Sequence, residues 1–310
     1  MRYVNHLKDS CKYTCNYTLP VLILSALLSM HSYSFAELPK VFIARDGVKM
    51  KLIPKGSFIM GSSEEDLKAT AALHKVKLKA FYMDEHPVTN RNYVKFLNET
   101  GIGNEKGSDR FHWVVTRDDL QSNERKDWWI TEIGHERGKF IAFEGFEDYP
   151  VITVSWLGAM KYCQWAGKRL PTEAEWEKSA RGGLKSARFS WGNSLPTEPG
   201  IVFNRHWDTN EDPPPLENVK YGMPNGYGLY NISGMIWEWC NDWFAPDYYV
   251  NSPMDNPMGP EAGQMKVLRG GAWFNAANVL RVALRNFIIP EALDETTGFR
   301  CASDVPAGIK

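Results

Sequence analysis

Tyr162-Cys-Gln-Trp-Ala-Gly-Lys-Arg-Leu-Pro-Thr-Glu-Ala-Glu-Trp-Glu177 is the stretch on which the architecture turns. It closes one helix and opens another. Ser155 can cap a run through Ala159, Met160 and Cys163, and Gly167 stops it. Pro171 then precedes Thr172-Glu-Ala-Glu175, a capping box in which hydroxyl and carboxylate satisfy each other's orphan backbone N–H groups. The second helix ends at Gly182-Gly183. Because capping explains Glu173 and Glu175, they are not nominated as a catalytic pair.

Toward the N-terminus, Val41-Phe-Ile43, Met50-Lys-Leu-Ile53 and Ser57-Phe-Ile-Met60 read as short strands around the turn at Pro54-Lys-Gly56. Lys75-Val-Lys-Leu-Lys79 alternates as a half-exposed strand should. A helix begins after Thr89, with Tyr93, Phe96 and Leu97 on its core face. Residues 101–148, charged and tryptophan-containing, read as a surface insertion beside the active face. After Gly183 long periodic segments cease. Gly, Pro, Asn and Trp dominate there, which describes ordered loops held by aromatic burial. No repeat or internal boundary divides residues 37–310, so they are expected to form a single α/β (α+β) domain.

The first 36 residues differ from the rest. Arg2, Lys8 and Lys12 precede an apolar run from Leu19 to Met30, and Ser34-Phe-Ala36 has the small-x-small form of a cleavage site. That is the pattern of a secretory signal peptide cleaved near Ala36, so the mature chain is expected in the periplasm or secreted. The apolar run is too short for a transmembrane anchor. A formal charge of -1, or -3 without that segment, gives no clustered basic surface for nucleic acid. Export leaves Cys163, Cys240 and Cys301, an odd count that implies one disulfide and one buried thiol, with three pairings open.

A series of motifs then becomes specific. Gly56-Ser-Phe-Ile-Met-Gly61 is followed by Asp84-Glu-His-Pro-Val-Thr-Asn90, Tyr149-Pro-Val-Ile-Thr-Val-Ser-Trp156 and the stretch quoted above. Trp191-Gly-Asn193, Asn225-Gly-Tyr-Gly-Leu-Tyr-Asn231, Trp237-Glu-Trp239, Val267-Leu-Arg-Gly-Gly-Ala-Trp273 and Gly298-Phe-Arg-Cys301 complete it. In order and spacing this series resembles the formylglycine-generating enzyme, or sulfatase-modifying factor, family. The resemblance implies an elaborated C-type-lectin-like fold rich in irregular loops, in a monomer or weak dimer. It implies a disulfide between Cys163 and Cys301, leaving Cys240 as a packing thiol. It also implies structural calcium, at one site through Asn231, Gly234, the Ile236 backbone and Glu238, and at a second starting from Asn204 and the Arg205 carbonyl. The latter lacks a recognisable continuation in Glu211-Asp-Pro-Pro-Pro215.

One family feature is missing. The enzyme proper binds copper(I) through two cysteines after the Gly-Gly segment, soft ligands suited to that ion. Here those positions hold Asn275 and Leu280. Sulfatase activation is therefore not expected, nor copper bound by a cysteine pair. The iron-dependent sulfoxide synthases of the same scaffold carry an extra helical domain and an HxxxHxE motif, both missing here. A signal peptide without copper thiols resembles instead the periplasmic pyoverdine-maturation branch or an accessory protein. Two readings follow. One is an oxidoreductase tailoring a small or peptidic aromatic precursor, such as a siderophore chromophore; the other is a non-catalytic binding protein with a lectin-like cleft.

For an aromatic substrate, Trp273 and Phe274 offer a stacking wall and Asn275 and Asn278 polar contacts. Arg281 and Arg285 would share a face if helical, to bind a ligand carboxylate or to pair with Asp294 and Glu295. Glu132-x-x-His135-Glu136 has helix-like spacing, and His206-Trp-Asp208 could place two ligands on one side of an extended segment. His74, His86 and His112 are read as structural or surface groups.

Overall fold

A computed structural model describes residues 37–67, 70–101, 113–119, 130–197, 199–207 and 215–307. The signal segment and its cleavage site lie outside these residues.

The strands expected near the N-terminus form as β1 (Val41–Ile43), β2 (Lys49–Ile53) and β3 (Gly56–Met60). β4 (His74–Leu78) pairs antiparallel with β3, its Val76 and Leu78 inward and its lysines outward. β5 (Phe81–Asp84) is buried along its length because it lies inside a four-stranded sheet, β1-β2-β5-β12, whose last member is Ala302–Asp304. The end of the chain thus pairs with residues more than 200 positions earlier.

The helices begin and end where their caps dictate. α1 (Asn90–Thr100) is capped by Thr89 and ends at Gly101 in the left-handed region, φ 68°. α2 (Trp156–Trp165) starts at Ser155, whose hydroxyl accepts the Gly158 N–H. α3 (Glu173–Arg181) has both halves of the capping box and stops at Gly182. A second sheet, β10-β9-β8-β11, lies in the loop-rich half. It joins β8 (Trp237–Trp243), β9 (Lys266–Arg269), β10 (Asn286–Ile288) and the parallel β11 (Thr297–Gly298). α4 (Tyr248–Asn251) is a single turn.

One expectation is corrected. The described parts of the supposed surface insertion belong to the core. Trp113, Val114, Ile133 and Phe140 are buried, and Trp113 stacks on Phe96 with ring centroids 5.6 Å apart. β6 (Ile133–Glu136) and β7 (Lys139–Ala142) form a hairpin, and β7 packs on α1. Charged residues interspersed with these apolar ones mask their pattern in a composition average.

Cys163 of α2 is joined to Cys301, next to β12. Asp84 holds the same place: its backbone N–H donates to the Cys301 carbonyl, and its carboxylate accepts the Cys301 N–H at 2.9 Å. Lys168 lies buried between Asp84 (2.7 Å) and Asp46 (2.8 Å), and Tyr162 donates to Asp46. Burial pushes the Asp84 carboxyl up to about 6, with Lys168 opposing it. The disulfide closes a sequence separation of 138. Replacing both cysteines with serine should lower unfolding free energy by about 4–5 kcal/mol in the chain-entropy picture. Urea unfolding of the two proteins compares them directly.

Candidate functional site

The segment that follows β9 is folded around its own polar groups. Gly270 and Gly271 take φ of 108° and 78°, values open to glycine, and release the chain from the sheet. The Ala272–Asn275 turn is closed twice: Asn275 N–H donates to the Ala272 carbonyl, and Ala272 N–H donates to Asn275 Oδ1 at 2.8 Å. A short 3-10 turn (Ala277–Leu280) follows and ends in extended backbone at Arg281. Trp273 is buried with its indole N–H unpartnered, while Phe274 is 48% exposed, the two rings meeting edge-on at 5.5 Å. Asn278 is exposed. Leu280 is fully buried.

No helix carries Arg281 and Arg285, which corrects the shared ligand-binding face. Arg281 is held by Glu64 (2.5 Å), by Asp66 (2.6 and 3.0 Å) and by the Asn278 carbonyl. Arg285 forms a two-pronged pair with Glu173 (2.7 and 2.9 Å), donates to the Thr70 and Ala245 carbonyls, and lies over the rings of Phe244 and Tyr249. The Arg285 guanidinium is fully buried and offers no surface to a ligand.

Glu173 is the residue that sequence reasoning missed. Capping belongs to Glu175, which accepts the Thr172 N–H and pairs with Arg169. Glu173 and Glu177, one helical turn apart and buried, instead meet Arg269 at 3.0 and 2.5 Å. Arg181 completes the cluster at 2.7 Å from Glu177. Burial would raise the Glu177 pKa, but Arg181, Arg269 and the Gly61 N–H together hold it below its ordinary value. The i,i+4 spacing of the two acids beside a tryptophan was the available signal.

The carboxylate expected to bind calcium has other partners. Both Glu238 oxygens accept from Arg300, at 2.8–2.9 Å, and Oε2 also accepts the Trp176 indole N–H. Glu238, expected as a calcium ligand, is thus buried as the counter-ion of Arg300. Asn231 donates to the Val219 carbonyl and Gly234 N–H to the Gly270 carbonyl, while the Ile236 N–H closes a tight turn on the Gly234 carbonyl. Asn204 and Arg205 run beside the turn described above, their N–H groups donating to the Asn275 and Trp273 carbonyls. Residues 208–214, including Asp208 and most of the second expected calcium segment, lie outside the described residues.

Glu132 pairs with Arg117, while His135 stands on β6 against Phe140; the spacing is that of a strand, not a helix. Among the described residues, no three His, Cys, Asp or Glu side chains converge as a cation site. Cys240 is buried, and burial first, then Asp242 and Glu173, raise its pKa well above that of a free thiol.

A cavity of about 520 Å3 opens in the loop face between Trp191, Ile201, Leu229, Asn231, Ile232 and Ser233. The Ser233 hydroxyl is buried there without a protein partner. Trp191 lies flat against Phe189, with centroids 5.0 Å apart, and donates to the Ser194 carbonyl. Leu280 sits behind the wall: a methyl group added to Gly234 would lie 3.3 Å from Ile201 Cγ2 and 3.4 Å from Leu280 Cδ2. Of the six residues expected to line one pocket, Arg281 lines a separate cavity of about 120 Å3.

Residues 36–305 match the Sulfatase-modifying factor enzyme 1-like domain. The chain belongs to this family. It is 40% identical over 278 residues to the Formylglycine-generating enzyme of Streptomyces coelicolor, covering 81% of this chain and 88% of that one. It is 31% identical to the Inactive C-alpha-formylglycine-generating enzyme 2 of Bos taurus, over 83% of this chain and 88% of the relative. Two solved structures share the fold: PvdO from Pseudomonas aeruginosa, at 22% identity and a TM-score of 0.64, covers 86% of this chain and 99% of its own. Treponema denticola variable protein 1, at 23% and 0.61, covers 84% and 95%.

Within the sulfatase-modifying-factor fold, the ion cluster on α3 fixes residues 269–285 in place. Removing one partner of a buried pair strands the other. Arg285→Met should therefore cost about 3–5 kcal/mol, read by chemical denaturation. Asp242 lies beside Glu173 and accepts its N–H; burial and that neighbouring carboxylate push it up to about 8. A raised carboxyl contributes stability that is complete below its unfolded value near 4 and is lost as pH rises through about 8. Asp242→Asn should therefore gain stability relative to the native chain across that window, measured by denaturation at stepped pH.

Proposed function

We propose that this chain is an exported maturation or tailoring protein that binds a small or peptidic aromatic ligand at its loop face. In this reading it does not generate formylglycine. The observation that carries it is the fate of the two positions where the family's enzymes hold their copper thiols. Asn275 spends its amide oxygen on its own turn, and Leu280 is buried under Gly234 and Gly271. Neither side chain supplies a thiolate, and Cys240 lies in the core.

Support for ligand binding comes from the loop-face cavity, where the Trp191 ring, apolar Ile201 and Ile232, and the unpartnered Ser233 hydroxyl combine a stacking surface with a hydrogen-bonding group. Export follows from the N-terminal pattern, and no helix among the described residues is long and apolar enough to cross a membrane. Oxidation of an aromatic precursor is the second reading, favoured by 40% identity to an enzyme of the family.

Purified protein given copper(I), oxygen and a cysteine-containing sulfatase peptide should leave the peptide unchanged in mass. Conversion to formylglycine would sink the reading. A screen of catechol- and tyrosine-bearing compounds by tryptophan fluorescence should find saturable binding that Trp191→Ala weakens about tenfold. Oxygen uptake with the bound compound would move the assignment to the oxidoreductase.

A further inference from the structure

Three lysines are buried among the described residues, and two of them have evident compensation. Lys168 lies between two aspartates. Lys266 places its ammonium 4.0 Å from the ring centre of Trp156 and 3.7 Å from that of Trp243, and donates to the Asn241 carbonyl. Lys178 is different. It is 5% exposed, and its ammonium donates only to the Pro54 and Gly56 carbonyls, leaving one N–H without a protein partner and no carboxylate in contact. Burial pushes its pKa down to about 8, as it does that of Lys266; the difference at Lys178 is the lack of a ring or carboxylate partner among the described residues.

Lys178 lines a cavity of about 370 Å3 between β3, β4 and the end of α3. The same cavity is lined by Lys75, Lys185 and Arg181, and by no acidic residue. Glu177 neutralises Arg181, whereas Lys75 and Lys185 are exposed and make no ion pair among the described residues. The apolar wall is formed by Phe58, Ile59, Leu184 and Tyr227, the last lying against the bare backbone of Gly183. Excess positive charge therefore surrounds a slot with two aromatic rings and two aliphatic side chains. Cations of this kind, one of them desolvated, favour an anion, and the apolar wall favours a flat hydrocarbon body.

We propose that this slot is a binding site for a small aromatic carboxylate, its ring against Phe58, Leu184 and Tyr227 and its carboxylate on Lys178, Lys75 and Lys185. The site is distinct from the loop-face cavity, from which Leu184 separates it, and does not depend on the reading given for that face.

Titration calorimetry of the full exported chain tests this with three probes: benzoate, benzamide and inorganic phosphate. Benzoate should bind at a single site, and the neutral amide and the non-aromatic anion each about tenfold more weakly. Lys75→Met/Lys185→Met, which alters only exposed side chains, should weaken benzoate about tenfold, as should Lys178→Met where it remains folded by circular dichroism. Trp191→Ala should leave benzoate affinity unchanged. Equal binding of benzamide overturns the role of the lysines, and equal binding of phosphate overturns that of the aromatic wall. Absence of saturable benzoate binding, or affinity unchanged in the double lysine variant, overturns the site.

Discussion

Two carboxylates one turn apart on α3 hold the loop-rich half of this protein in place. Glu173 and Glu177 are buried, and three guanidinium groups converge on them: Arg181 of the same helix and, from distant parts of the chain, Arg269 at the end of β9 and Arg285 beyond the loop. Such a cluster contributes less net stability than its short distances suggest, since every member must be desolvated. Its effect is geometric. Each planar guanidinium accepts a narrow range of partner positions, so the segment between Arg269 and Arg285 is fixed at both ends with only a short 3-10 turn inside it.

That constraint decides what the segment can offer chemically. Arginines placed there by the sequence as ligand-binding groups are consumed as counter-ions, and Asn275 is consumed in closing its turn. The cavity around Trp191 and Ser233 and the lysine-lined slot beside it lie outside this cluster. The side chains left uncommitted by the fold are the ones able to meet a ligand.

A second buried network ties the other half together. Lys168 bridges Asp46 and Asp84, Asp84 holds the backbone at Cys301, and the disulfide anchors α2 at the same point. Glu238 performs a parallel task by neutralising Arg300, one residue before that cysteine. Charge neutralisation at Arg300 is thus one task the structure gives Glu238.

The amino-acid sequence determined what short-range chemistry controls: the caps at Thr89, Ser155 and Thr172, the left-handed stops at Gly101 and Gly182, the alternation of β4 and the loop-rich texture after Gly183. Its motif series also identified the family, because each motif is a local packing or turn solution repeated in order. Only the tertiary structure decided the partners of Glu173, Glu238, Arg281 and Arg285, and that Lys178 has no carboxylate in contact. Long charged side chains find counter-ions across separations of up to 217 residues, as Arg281 does with Glu64. No periodic pattern records such pairings, because they depend on which loops the folded core brings together.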